Sequence, residues 1–161
     1  MTTLSHLNDQ GEANMVDVSG KRDTLRTALA EGYIKVSDAV LSAISTETVM
    51  KGDVFAVARV AGIQGAKRCA DLIPLCHPLP LTKVDIQFDV QAKSGRIKVT
   101  CLCKVTGKTG VEMEALTGVN IALLTLFDMC KAIDPAMCIE NVRVVRKEGG
   151  KNGLWLAEEQ A

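Results

Sequence analysis

Between Leu116 and Ile133 the only charged residues are Asp128 and Lys131. At ~100° per residue, Leu116, Val119, Leu123, Phe127 and Cys130 fall on one stripe, and Ile121, Ala122, Thr125 and Met129 leave no solvated face. A helix buried on several sides is expected. It is not expected to span a membrane, because the uncharged run from Ala115 to Phe127 is well short of the ~20 residues a bilayer needs. Upstream the period changes to two. Val84, Ile86, Phe88 and Val90, and then Ile97, Val99, Cys101, Cys103 and Val105 beyond the turn Lys93-Ser94-Gly95, alternate with polar residues and predict an antiparallel hairpin. On that face the C-x-C thiols act as small core hydrophobes. TLRTALAEGYIKV, ending at Val36, could be helix or strand; Gly32, Tyr33, Ile34 and Val36 suit a sheet and a helix would have no clear stop, which favours a strand. Asn141 to Arg146 alternates weakly as a further strand, KEGGKNG forms a basic glycine loop, and LWL closes the chain as an edge strand.

Two more helices follow from end signals. Ser37-Asp38 caps a short one through about Ser45. A longer one runs from Asp53 along VFAVARVAGIQGAKRCADLI, and its stripe Val54, Val57, Ala58, Ala61, Gly62 and Gly65 implies close approach of another element. Pro74, Pro78 and Pro80 then impose a rigid loop. Residues 1–15 are polar and aperiodic, a flexible segment able to fold over a ligand, with His6 as a solvated imidazole. Residues 16–161 form a single domain. Its element order argues an α+β fold of ferredoxin-like type, an antiparallel sheet with helices packed on one face.

A chain of 161 residues supports one core, and with 47% hydrophobic but 3% aromatic residues that core is Val, Leu, Ile and Ala. Lys+Arg and Asp+Glu both number 19, so no global field draws in nucleic acid or anionic lipid, and an anionic ligand must be met locally. The six cysteines and the absence of a charged-then-apolar leader point to a reducing, cytoplasmic setting with free thiols. There is no C-x2-C, and a tetrahedral zinc set would need scattered residues, so no protein-held metal is expected.

Several positions carry candidate chemistry. Asp128 and Lys131, at i and i+3, are either a structural ion pair or working groups; an exposed pair contributes only ~0.3–0.5 kcal/mol, and desolvation cancels much of a buried one. GKTG at 107–110 is not a Walker loop, since the glycine it requires is replaced by Leu102 in a strand. It leaves a turn whose N–H groups and Lys108 could cradle an anion. If this segment is extended, Glu112 and Glu114 point the same way around Met113 and suit a guanidine-like edge, a proton relay or a divalent cation; otherwise they are acidic residues at a helix start. His77, in the proline loop, is placed for proton transfer or is a buried imidazole. Lys51, Lys131, Lys147 and Lys151 either gather on polyphosphate or are ordinary surface.

Taken together, KGDVFAVARVAGIQGAKR, DLIPLCHPL, TGKTGVEMEALTGV and FDMCKA, in that order, closely resemble the molybdenum cofactor biosynthesis protein C family, the cyclic pyranopterin monophosphate synthases. The resemblance runs from about Met15 to Gly153. It implies a ferredoxin-like subunit in a homohexamer, a trimer of dimers, with sites at the dimer interfaces. It also implies a lyase that converts a cyclised guanosine triphosphate to cyclic pyranopterin monophosphate and releases pyrophosphate. Asp128, Lys131, Lys51 and His77 would be catalytic. Leu75, Cys76, His77, Glu112, Met113, Glu114 and Lys147 would hold the substrate. No resident cofactor is implied, and a divalent cation such as Mg2+ would belong to the triphosphate. Two positions depart from the family pattern: Cys69 stands where threonine is usual, and Glu148 adds a negative charge beside Lys147. The rival readings are a non-catalytic nucleotide- or pterin-binding oligomer and a structural oligomer whose charged helix pair fixes register.

Overall fold

A computed structural model describes residues 4–45 and 53–158. The chain runs β1 (Thr24–Lys35), α1 (Asp38–Ser45), α2 (Val54–Lys67), α3 (Cys69–Leu72), β2 (Lys83–Gln91), β3 (Arg96–Gly107), α4 (Glu112–Cys130), β4 (Cys138–Glu148) and β5 (Trp155–Leu156). The strands form one sheet in the order β2-β3-β1-β4-β5, with every neighbouring pair antiparallel. Without the short edge strand β5 this is the ferredoxin-like arrangement that the sequence leads one to expect.

The period-two pattern sets which face is covered. Ala28, Ala30 and Ile34 of β1 and Ile97, Val99, Cys101, Cys103 and Val105 of β3 are buried under the helices. On the opposite face Glu31 is buried by its own partners, Lys98 at 2.7 Å and Arg143 at 2.9 Å. Burial alone would push this carboxyl up, but the two cations hold it below the ordinary glutamate range. Register shifts in the β1–β4 ladder, with Asn141 at φ 53°, accompany the placement of Arg143 opposite Glu31.

The small-residue stripe does bring another element close, and that element is α4. A Cβ on Gly62 would lie 2.8 Å from the Gly118 carbonyl oxygen, and one on Gly118 would lie 2.6 Å from Cys101 Sγ. Val57, assigned to the same stripe, instead faces outward. Asp53 caps α2 by accepting the Ala56 N–H at 3.0 Å. The helix does not run unbroken to Ile73 as expected. Arg68 leaves helical geometry at φ −106°, ψ 16°, its N–H shared by the Gln64 and Gly65 carbonyls, and α3 is a separate turn that carries Cys69 into the core.

A second correction concerns α4. By length and composition it is apolar enough to cross a bilayer, yet it is the core helix, packed on the sheet and on α2. It nevertheless keeps a wet flank. Leu124 is 54% exposed, and Asp128 on the next turn also faces outward. An exposed leucine on that flank makes the segment read as buried all round.

Candidate active site

Two adjoining cavities open at the N-terminal end of α4. The first, about 380 Å³, is lined by Leu75, Cys76 and His77 from the proline loop and by Glu112, Met113 and Glu114 from the start of α4. The second, about 690 Å³, is lined by Arg26, Lys147, Lys151 and the glycines 149, 150 and 153. Lys21, Gly110 and Glu112 belong to both. The fold therefore gathers all seven expected substrate residues, and it divides them between a pocket that holds the imidazole and Glu114 and a basic one.

The loop that carries His77 is built by successive turns. The Ile73 N–H donates to the Cys69 carbonyl at 2.9 Å, and the Cys76 N–H to the Ile73 carbonyl at 3.1 Å. His77 Nε2 then lies 2.8 Å from the Val16 carbonyl. A carbonyl only accepts, so Nε2 carries the hydrogen and Nδ1 of the neutral ring keeps the lone pair. Such a ring can take a proton at Nδ1.

The two glutamates have different surroundings. Glu112 pairs with Lys147 at 3.3 Å. Glu114 is buried, and its desolvation pushes the carboxyl up; its own backbone N–H partly offsets this, and the charge of Glu112 adds to the rise. Glu114 is thus the member of the pair suited to carry a proton. The nearby thiols are poor nucleophiles. Burial pushes Cys69 up to about 12, although the Thr117 hydroxyl donates to its sulfur at 3.4 Å, and burial raises Cys76 as well. Cys76 serves as a wall of the pocket.

Sequence reasoning passed over Arg26 and Lys21. Arg26 sits in β1 between ordinary strand residues, and nothing local marks it. In the fold its Nη2 donates to the Lys108 carbonyl at 3.3 Å, while its Nε is buried without a hydrogen-bond partner. Gly150, at φ 75°, leaves room for the guanidinium, which any Cβ there would strike. Lys108, a candidate for an anion cradle, lines neither cavity and donates to the Ser19 carbonyl at 3.0 Å. Glu148 binds Arg146 at 2.7 Å, yet it lines the basic cavity beside Lys147, so its negative charge stays within the site.

Asp128 and Lys131 are not in either cavity. They form an ion pair of 2.6 Å with side chains 61% and 56% exposed. At 1.5 Å of rise per residue, Asp128 lies about 24 Å along α4 from Glu112. Of the exposed and buried alternatives for this pair the fold takes the exposed one, on a wet flank at the far end of a helix expected to have none. Lys51 lies outside the described residues. Among the described residues, no three His, Cys, Asp or Glu side chains converge to hold a metal ion.

The sequence profile of the MoaC family matches residues 15–150, which include the proline loop, both glutamates and Lys147. The chain belongs to the MoaC family. Membership assigns this MoaC chain a role in molybdenum cofactor biosynthesis, on a small-molecule pterin or nucleotide substrate. Among solved structures, a mutant of the ferredoxin protease FusC in complex with Arabidopsis ferredoxin aligns with 65% of this chain at 10% identity and a TM-score of 0.34. This chain spans 10% of that protein's length, and so slight a likeness bears on neither fold nor function.

Proposed function

We propose that this chain is a cyclic pyranopterin monophosphate synthase, a phosphorus-oxygen lyase. Its substrate is the cyclised guanosine triphosphate (8S)-3',8-cyclo-7,8-dihydroguanosine 5'-triphosphate, and its products are cyclic pyranopterin monophosphate and pyrophosphate. The observation that carries this reading is the junction of the two cavities. One offers an imidazole and a buried carboxyl whose proton affinity is raised, and the other offers Lys21, Arg26, Lys147 and Lys151. Opening a purine-derived ring needs proton transfers, for which His77 Nδ1 and Glu114 are placed. Closing a cyclic phosphate sets a substrate hydroxyl on the α-phosphorus and expels pyrophosphate, whose growing negative charge the basic cavity stabilises. Mg2+ would enter with the triphosphate as its counter-ion.

In this reading the site is completed by a second subunit. Asp128 and Lys131 are exposed, and Asp128 lies about 24 Å along α4 from Glu112. The packed helices α2 and α4 leave Val57, Val60 and Leu124 exposed, as an interface between copies would require. A homohexamer, a trimer of dimers in the cytoplasm, would set the Asp128–Lys131 pair of one chain against the cavities of its neighbour, with Lys51 joining them. Neither nucleic acid nor membrane is called for.

Incubation of the purified protein with the cyclised triphosphate tests the assignment. Pyrophosphate and a pterin should appear together, in equal amounts. Binding of the triphosphate with its release unchanged would replace the enzyme by a nucleotide- or pterin-binding module.

A further inference from the structure

The chain has two histidines, and the fold brings both to one cavity. His77 reaches it from the proline loop, and His6 reaches it from the N-terminal segment. His6 lies outside the span matched to the family. The segment that carries it has a definite shape. Leu7 and Ala13 pair as an antiparallel bridge, and the Asn14 N–H donates to the His6 carbonyl at 2.9 Å. The Asn8 side-chain oxygen accepts the Gln10 and Glu12 N–H groups at 3.1 and 2.8 Å, and Gly11 at φ 79° reverses the chain.

The same segment is docked on the site by polar bonds. The Val16 carbonyl accepts from His77, and the Ser19 carbonyl accepts from Lys108. Its apolar side chains Leu4, Leu7 and Met15 remain exposed and only Val16 and Val18 are half-buried against the cavity, so the polar bonds carry much of the docking. What it does contribute is an imidazole at the mouth of a pocket and a carbonyl on the nitrogen of another.

We propose that residues 4–20 are a strap over the substrate pocket and that His6 is a further substrate-contacting residue; this inference rests on the reaction proposed above. The His6 imidazole meets the polar edge of the bound heterocycle. Docking of the strap also sets the base, because the Val16 carbonyl keeps the hydrogen on His77 Nε2 and leaves Nδ1 open. Covering the pocket and orienting the base are then one event.

The test uses the full chain, with His6→Ala, His6→Gln and, at the hairpin tip away from the cavity, Asp9→Ala. His6 is exposed, so its variants should unfold at the wild-type temperature. Pyrophosphate release should lose at least about tenfold in kcat/KM for His6→Ala, or ~1.4 kcal/mol, mainly through KM. His6→Gln keeps a donor and an acceptor and should recover part of the loss, and Asp9→Ala should match wild type. Separately, proton–nitrogen correlation spectra of the imidazole rings should show both rings shifting when guanosine triphosphate is added as an unrearranged analogue. His6→Gln assigns the two rings. Unchanged kcat/KM in His6→Ala, or a His6 ring that guanosine triphosphate does not move, overturns the proposal. Should the wild type itself release no pyrophosphate, the assigned reaction falls. The His6 ring signal then decides alone: movement keeps the contact with a nucleotide, and its absence removes it.

Discussion

Replacing Gly62 by alanine tests how the fold holds the site together. A Cβ at this position would lie 2.8 Å from the Gly118 carbonyl oxygen and 3.1 Å from the Ala122 Cβ, and would strike the end of the Ile86 side chain. The Ile86 methyl can turn aside. The carbonyl and Ala122 belong to α4 and cannot, so α2 and α4 must separate by about half an ångström to restore ordinary contact. Overpacking of this kind costs ~1–3 kcal/mol, against which alanine returns ~0.8–1.0 kcal/mol of helix propensity. The expected net loss is about 1 kcal/mol, and at most about 2 kcal/mol. Urea unfolding at fixed protein concentration, followed by circular dichroism, measures it. Gly20→Ala serves as the control, since nothing lies within 4 Å of its Cβ position. The displacement also reaches the chemistry, because α2 leads through α3 to His77 while α4 carries Glu114. Turnover should therefore fall with stability. A Gly62→Ala protein as stable as wild type would refute the close α2–α4 contact and its role in setting the pocket.

Other perturbations act on single groups. Glu114→Gln should reduce turnover on the order of 10²–10⁴-fold. Because burial raises the Glu114 carboxyl, the native state retains a proton that the unfolded chain releases. Wild-type stability should thus decline from the ordinary glutamate range up to the raised value and then level off, while the glutamine variant lacks this decline; parallel profiles would refute the buried carboxyl. Glu31 has the opposite sign, since Lys98 and Arg143 outweigh its burial and lower its carboxyl. Its contribution is full above the unfolded value and disappears as pH falls through the depressed one. Glu31→Gln should cost ~1–3 kcal/mol at neutral pH and progressively less in acid, and a loss independent of pH would reject the ion cluster as its cause. Asp128→Asn should fold normally and be nearly inactive. Refolded together with Glu114→Gln it should regain part of the activity, because some interfaces would then hold one intact pocket; mixed oligomers without recovery would place both residues in one subunit's work.

The hairpin of β2 and β3, the strand β1 and the body of α4 could all be read from the sequence, since a period of two or 3.6 records which face of an element is covered. Gly62 and Gly65 likewise announced a close neighbour, because small residues at helical spacing have few other uses in a helix. The order of the motifs TGKTGVEMEALTGV and DLIPLCHPL was enough to name the family. It also placed His77 and Glu114 among the candidate site residues, before their meeting in one cavity was known. What local pattern could not supply was each side chain's partner. Arg26 looks like any residue of an alternating strand until β4 and the glycines after it arrive beside it. Lys108 looks free until Ser19 takes its ammonium group. Asp128 looks buried because Leu124, a turn before it, is apolar, yet α4 meets the sheet and α2 elsewhere around its circumference. His6 looks like an ordinary solvated residue until long-range bonds, Val16 with His77, 61 residues away in the chain, and Ser19 with Lys108, bring its segment to the pocket. Burial, ion pairing and proton affinity are properties of a surrounding. Periodicity determines which way a side chain faces, and the tertiary structure decides what it faces.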